Sequence, residues 1–205
     1  MISEKWRFIF IHVPKTGGNA VQARLLPFSD DRVTLSPGQD GTERFGVNGP
    51  LTPCKHARLQ DYTDRLHSSL DGYRVLVTLR PPFERMLSLY FSPHRWQSVT
   101  PSWDRTAFLA MARIAPSTAS FLTVGNALRL PDLVLRFGHL ARDFAAAVAT
   151  LELPLDPSET PLRATNETAG PTDLIAQLRA DDDLRATVEA LFPDDIDLLA
   201  RLARS

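Results

Sequence analysis

Apolar residues gather in three short, dense runs. Residues 7–13 (RFIFIHV), 73–79 (YRVLVTL) and 132–137 (DLVLRF) carry apolar side chains on both alternating faces, which predicts strands buried on both sides. Each run is followed by a stretch with helical character. Residues 19–26 predict a helix stopped by Pro27, and residues 140–151 an alanine-rich helix. Pro81 and Pro82 end the second strand and open a helix over 83–91, with Phe83, Met86, Leu87 and Tyr90 on one face and Glu84, Arg85 and Ser88 toward another. Residues 93–131 read as helical with breaks at Pro101, Pro116 and Pro131. The tail over 172–202 reads as helical, with Leu174, Leu178, Leu184, Val188, Leu191 and Leu199 as its apolar set. Between the first two strands, residues 27–53 are rich in Pro, Gly, Asp and Ser, an irregular excursion with one short strand near Val33; residues 55–59 predict a further short strand. Strands alternating with helices predict an α/β fold: one domain over 1–205, a three-layer sandwich with a central parallel sheet and helices on both faces.

Composition narrows the classes of function. With 205 residues, 43% of them hydrophobic, one core can hide roughly 70% of the unfolded surface. A formal net charge of −1 argues against a whole-protein electrostatic footprint for nucleic acid, so any anion site is local. The single cysteine, Cys54, excludes an intrachain disulfide framework. Five histidines (12, 56, 67, 94 and 139) show no metal-binding spacing, and no metal is expected. No apolar stretch approaches the roughly 20 residues that span a bilayer, and the N-terminal run is too short for a signal peptide. A soluble, cytoplasmic protein is the expectation.

In parallel sheets, ligands bind beyond the carboxyl ends of the strands, and two of the three strands deliver a cation there. The first runs into Pro14, Lys15, Thr16, Gly17, Gly18 and Asn19. A glycine turn feeding a helix N-terminus presents unpaired N–H groups and the positive end of the helix dipole to an anion, to which Lys15 adds a charge and Thr16 a hydroxyl. The lysine precedes the glycines, whereas the nucleoside-triphosphate P-loop places it after them. The second strand ends at Arg80, a planar donor suited to phosphate, and Ser88 follows two helical turns later.

Together, residues 14–19 (PKTGGN) and 80–90 (RPPFERMLSLY) resemble the sulfotransferase family, in particular its carbohydrate-sulfotransferase branch. The resemblance implies a P-loop-like sulfotransferase fold and 3′-phosphoadenosine 5′-phosphosulfate (PAPS) as sulfuryl donor, with its desulfonated form (PAP) as product. Residues 14–19 would hold the 5′-phosphosulfate, and Arg80 and Ser88 the 3′-phosphate. Residues 134–144 (VLRFGHLARDF) look like the family's late strand and helix, with Gly138 where an acidic residue is expected, and residues 163–168 (RATNET) resemble its N-x-[ST] loop. Asn19 stands where the family most often has Ser or Thr.

Sulfuryl transfer moves SO3 from a phosphate to an acceptor hydroxyl while charge builds on the leaving oxygen, which fixed cations and backbone donors stabilise without a metal in principle. Lys15 is the candidate for that oxygen. His56 is the candidate base for the acceptor, with Glu43 and Asp61 as alternatives. Lys55 beside it suits an acidic acceptor, and Trp96, Trp103 and Phe108 are candidates to stack on a sugar or enclose an alcohol. The expected partner is a small-molecule or glycan acceptor. Two other readings stand beside this one: a nucleotide kinase or NTPase on a similar fold, which the lysine position and the lack of a Walker B aspartate disfavour, and a nucleotide-binding protein without turnover, which Gly138 favours.

Overall fold

The computed structural model describes residues 1–37, 39–42, 44–66, 70–92, 102–158, 162 and 171–204. In chain order the first elements are β1 (Ile2–Ser3), β2 (Phe8–Ile11), α1 (Gly18–Leu25), a 3-10 turn (Leu26–Phe28), β3 (Arg32–Thr34), β4 (Gly46–Asn48), α2 (Leu59–Leu66), β5 (Arg74–Leu79) and α3 (Pro82–Tyr90). They are followed by α4 (Arg105–Ile114), α5 (Ala119–Leu122), β6 (Thr123–Val124), β7 (Ala127–Leu128), β8 (Leu133–Arg136), α6 (Leu140–Thr150), α7 (Thr172–Arg179), α8 (Asp182–Glu189) and α9 (Pro193–Leu202). The chain packs as two compact units, Met1–Leu79 with Ser120–Thr165, and Arg80–Ala119 with Asn166–Ser205.

The first unit is built on a four-stranded sheet in the order β1-β2-β5-β8. The three strands predicted from the sequence are β2, β5 and β8, and they run parallel; Ile11 pairs with Val77, and Thr78 with Leu135. The parallel set is buried on both faces where it matters most: Phe8, Ile9, Phe10 and Ile11 are all sequestered from solvent, as are Val75, Leu76 and Val77. Phe8, Phe10, Leu76 and Leu135 pack with Val21 and Leu25 of α1 and with Phe144, Ala147 and Val148 of α6, so these two helices cover one face. β1 adds an antiparallel edge, Ile2 opposite Ile9, which no alternation in so short a segment announces.

Two expectations are corrected in this unit. Residues 55–59 form no strand; the segment turns into α2, because Asp61 Oδ2 accepts the Arg58 N–H at 2.7 Å while Arg58 O accepts the Asp61 N–H at 3.0 Å, a reciprocal N-terminal cap. Residues 123–128, expected helical, form the β6–β7 hairpin around Gly125, whose φ of 58° and whose N–H, taken by Gln60 Oε1 at 2.6 Å, fix the turn. The strand near Val33 is β3, paired antiparallel with β4.

The second unit is helical. Phe83, Met86, Leu87 and Phe91 pack with Phe108, Ile175, Leu178, Leu184 and Val188 in one apolar cluster. Pro82 opens α3, the Asp104 carboxylate caps α4 at Ala107 N (3.0 Å), and Asp181 caps α8 at Leu184 N (2.8 Å). The predicted helical tail is thus three helices, interrupted where Asp181 and Pro193 start new ones. The expectation over 93–101 lies outside the described residues.

Candidate functional site

β2 ends at Ile11, and the chain passes through His12 and Val13 into the glycine loop and then α1. Lys15 and Gly17 both take left-handed backbone conformations, φ 69° and 89°, a conformation costly for the lysine. Each glycine has a separate reason. Gly17 is the N-cap of α1, and a Cβ there would lie 2.7 Å from Leu140 Cδ1 in addition to its left-handed φ. At Gly18 a Cβ would lie 2.4 Å from Cδ2 of the buried His12 ring. With no side chain at the N-cap, the first turn of α1 has no side-chain cap from that residue, a geometry whose N–H groups and dipole suit an anion. Lys15, Pro14 and Asn19 are half-buried.

Thr16 differs from expectation. Its hydroxyl is fully buried and donates to Val13 O at 2.7 Å; having one hydrogen, it accepts at 2.5 Å from Thr78 Oγ1. The side chain bolts the loop to the end of β5, and what Thr16 can offer a ligand is its backbone N–H.

His56 is carried to this end of β2 by the turn before α2. Its Nδ1 lies 2.7 Å from the carbonyl oxygen of His12, which can only accept, so Nδ1 carries the proton and Nε2 the lone pair. Burial pushes the half-buried imidazole below its ordinary pKa and Lys55 adds to the lowering, against the bond to His12, which pulls the other way. The lowered pKa favours the neutral form of the His56 imidazole at pH 7. The His12 ring stands 4.7 Å from it, and its Nδ1 is 2.9 Å from Gln22 Oε1. Burial, then His56 and Lys55, hold His12 well below its usual range. Lys55 Nζ donates to Phe45 O at 2.8 Å, and burial lowers its ammonium to about 8 despite the Asp40 carboxylate. Of the alternative bases, Asp61 is engaged in capping α2, and Glu43 lies outside the described residues. The first unit thus holds Lys15 and His56 at one end of one strand. His12 and Gln22, which organise them, were not singled out in the sequence; the signal was a glutamine on the apolar side of α1, where a polar group needs a buried partner.

Gly138 has a φ of 91°, a conformation a side chain would strain, and nothing lies within 4 Å of where its Cβ would be. The carboxylate at this end of β8 is instead Asp143, which accepts from Arg136 N at 3.0 Å, Arg136 Nε at 2.8 Å and Arg142 Nη2 at 3.1 Å. Burial would raise its pKa, but these bonds hold it at about 2.

Arg80 and Ser88 belong to the second unit. Arg80 is buried, with Nη2 3.3 Å from Glu84 Oε2, and Glu84 is also bound by Arg179 at 3.1 Å. Ser88 Oγ is buried and has no hydrogen-bond partner among the described residues. Arg85, placed by periodicity with the polar face, is buried as well: its Nη2 donates to Pro116 O at 2.7 Å and stands 3.7 Å from Asp195. Phe108 is fully buried, and Trp103 packs against Tyr90, Phe91 and Phe108 with ring centroids 5.3, 6.2 and 5.1 Å away. These two aromatics are core rather than a platform for a sugar, and Trp96 lies outside the described residues.

Comparison with models of known protein families, with curated proteins and with solved structures returns no match. Among the described residues, no helix is long and apolar enough to cross a membrane, and no group of three or more His, Cys, Asp or Glu side chains could hold a metal ion.

Proposed function

We propose that this protein is a PAPS-dependent sulfotransferase on a P-loop-like fold, acting on a hydroxyl of a carbohydrate or other alcohol. One observation carries the reading: a left-handed lysine and two sterically required glycines lead into the open N-terminus of α1, and a neutral imidazole is hydrogen-bonded two residues upstream of that loop. The acceptor oxygen forms the new S–O bond as its proton passes to His56 Nε2. The bridging S–O bond breaks, and its electron pair goes to the phosphate oxygen of PAP, where Lys15 and the loop N–H groups meet the growing charge. The resemblance assigns the 3′-phosphate to Arg80 and Ser88, and the unpartnered Ser88 hydroxyl supports that assignment, since a phosphate oxygen would supply the acceptor it lacks.

Calorimetry tests the reading without knowledge of the acceptor. PAP should bind much more tightly than AMP, without magnesium. Arg80→Lys keeps a cation against Glu84 but loses the planar fork, and should cost roughly 10-fold or more in PAP affinity with little change for AMP. Equal affinity of the wild type for PAP and AMP, or tighter magnesium-dependent binding of ATP, would overturn the proposal in favour of a kinase-like one.

A further inference from the structure

Gln22 is fully buried on α1, and its side-chain amide has two partners that leave no choice of orientation. Phe45 O, 3.2 Å from Nε2, can only accept, so the amide nitrogen faces it and Oε1 faces His12. Oε1 in turn can only accept, so His12 Nδ1, 2.9 Å away, carries the proton of the neutral ring. His12 then presents its backbone carbonyl to His56 Nδ1 at 2.7 Å and its ring edge-on to the His56 ring. Phe45 O also receives Lys55 Nζ at 2.8 Å, and Lys55 is the chain neighbour of His56, so the hydrogen bonds close into a loop. The other side of the His12 ring lies against Gly18.

We propose that His12, pinned by Gln22, is the positioning residue of His56: its carbonyl fixes His56 as the Nδ1–H tautomer and its ring fixes the orientation, so that Nε2 is the nitrogen turned toward an acceptor. The inference rests on the reading of His56 as the base. Its reach is wider than tautomer choice, because the same ring touches the glycine loop: the donor site and the base are braced against one side chain. The charged and titratable groups acting on His56 are Lys55 beside it and the N-terminal ammonium, with His12 itself neutral. Among the described residues none of these is a carboxylate, and there the carbonyl of His12 sets the tautomer.

The test is long-range 1H–15N NMR on the 15N-labelled full chain with no nucleotide present, which keeps it separate from the sulfotransferase reading. In the wild type at pH 7.5, His56 should show a single tautomer with protonated Nδ1 and a lone pair on Nε2. His12→Ala keeps the backbone carbonyl and removes the ring with its anchor on Gln22, so Nδ1 of His56 should stay protonated while kcat, measured with any acceptor that is turned over, falls roughly 10- to 100-fold as the base loses its alignment. If His12→Ala does not fold, His12→Phe keeps a ring against Gly18 while losing the bond to Gln22, and the same tautomer with a smaller fall in kcat is expected. A protonated Nε2 at His56 in the wild type would overturn the inference, as would an unchanged kcat in a folded His12→Ala variant. Absence of PAPS turnover with the expected spectra would instead overturn the functional reading and leave the positioning intact.

Discussion

Lys15 combines a charge with a backbone conformation that disfavours any side chain, and the strain is sustained because Thr16, next in sequence, is tied to Val13 and Thr78. Lys15→Ala removes the charge that the proposed reaction places at the leaving oxygen, while the buried Thr16 hydroxyl still holds the loop. The turnover number should fall by a hundredfold or more, about 3 to 4 kcal/mol of transition-state stabilisation, with the melting temperature little changed. An unaltered turnover number would take Lys15 out of the mechanism. For His56 the expectation is a pH profile. Because burial lowers its pKa, the base is neutral through pH 7, and kcat/KM should stay level there and decline only as the pH falls below the ordinary histidine value of about 6.5. An acid limb centred above 7 would point to a different base.

At the scale of elements, the strand–loop–helix from β2 to α1 is held by close approach more than by sequence pattern. Gly18 lies so near the His12 ring that a methyl group would force the ring, its bond to Gln22, or the helix to move. Gly18→Ala should therefore destabilise the protein by about 1 to 3 kcal/mol, even though alanine is the better helix former at an ordinary helix position. Urea unfolding measures it; an alanine variant as stable as the wild type would show that the ring has room. The late strand–helix pair solves its own end in a local way. Gly138 supplies the left-handed turn, and the carboxylate that ties β8 to α6 comes from Asp143 in the first turn of the helix, where it also complements the helix dipole.

For the whole molecule, five groups among the described residues whose pKa is lowered in the folded state shape the response to acid: the N-terminal amine, lowered by burial to about 5, His12, His56, Glu84 and Asp143. A group that is harder to protonate when folded lets the unfolded chain bind more protons, so stability rises with pH through that window and is lost as pH falls. The N-terminal amine should begin a first decline in the thermal midpoint below pH of about 8, the histidines should deepen it below about 6.5, and Glu84 and Asp143 should produce a second below about 4.5. His12→Asn should lessen the decline below pH of about 6.5. A thermal midpoint that stays level from pH 7.5 to 5.5 in the wild type would contradict the burial of a neutral His12.

Much of this was legible in the residues themselves. The three dense apolar runs became the parallel strands, within two residues at each end, because strands buried on both faces leave a pattern that needs no partner to be seen. The glycine loop, Lys15, Arg80 and Ser88 could be singled out for the same reason, since they lie in two short contiguous stretches. What the chain does not display locally is who satisfies whom. The order of the parallel strands, the burial of Arg85 against Pro116 and Asp195, and the inward turn of the Thr16 hydroxyl all depend on residues tens of positions apart. The chain from Phe45 through Gln22 and His12 to His56 is the sharpest case. Read singly, these are a polar residue on an apolar helix face and a histidine after a strand. A buried polar group must find its partner inside the fold, and that partner is chosen by how the elements pack, so periodicity announced the need and only the tertiary structure decided the pairing.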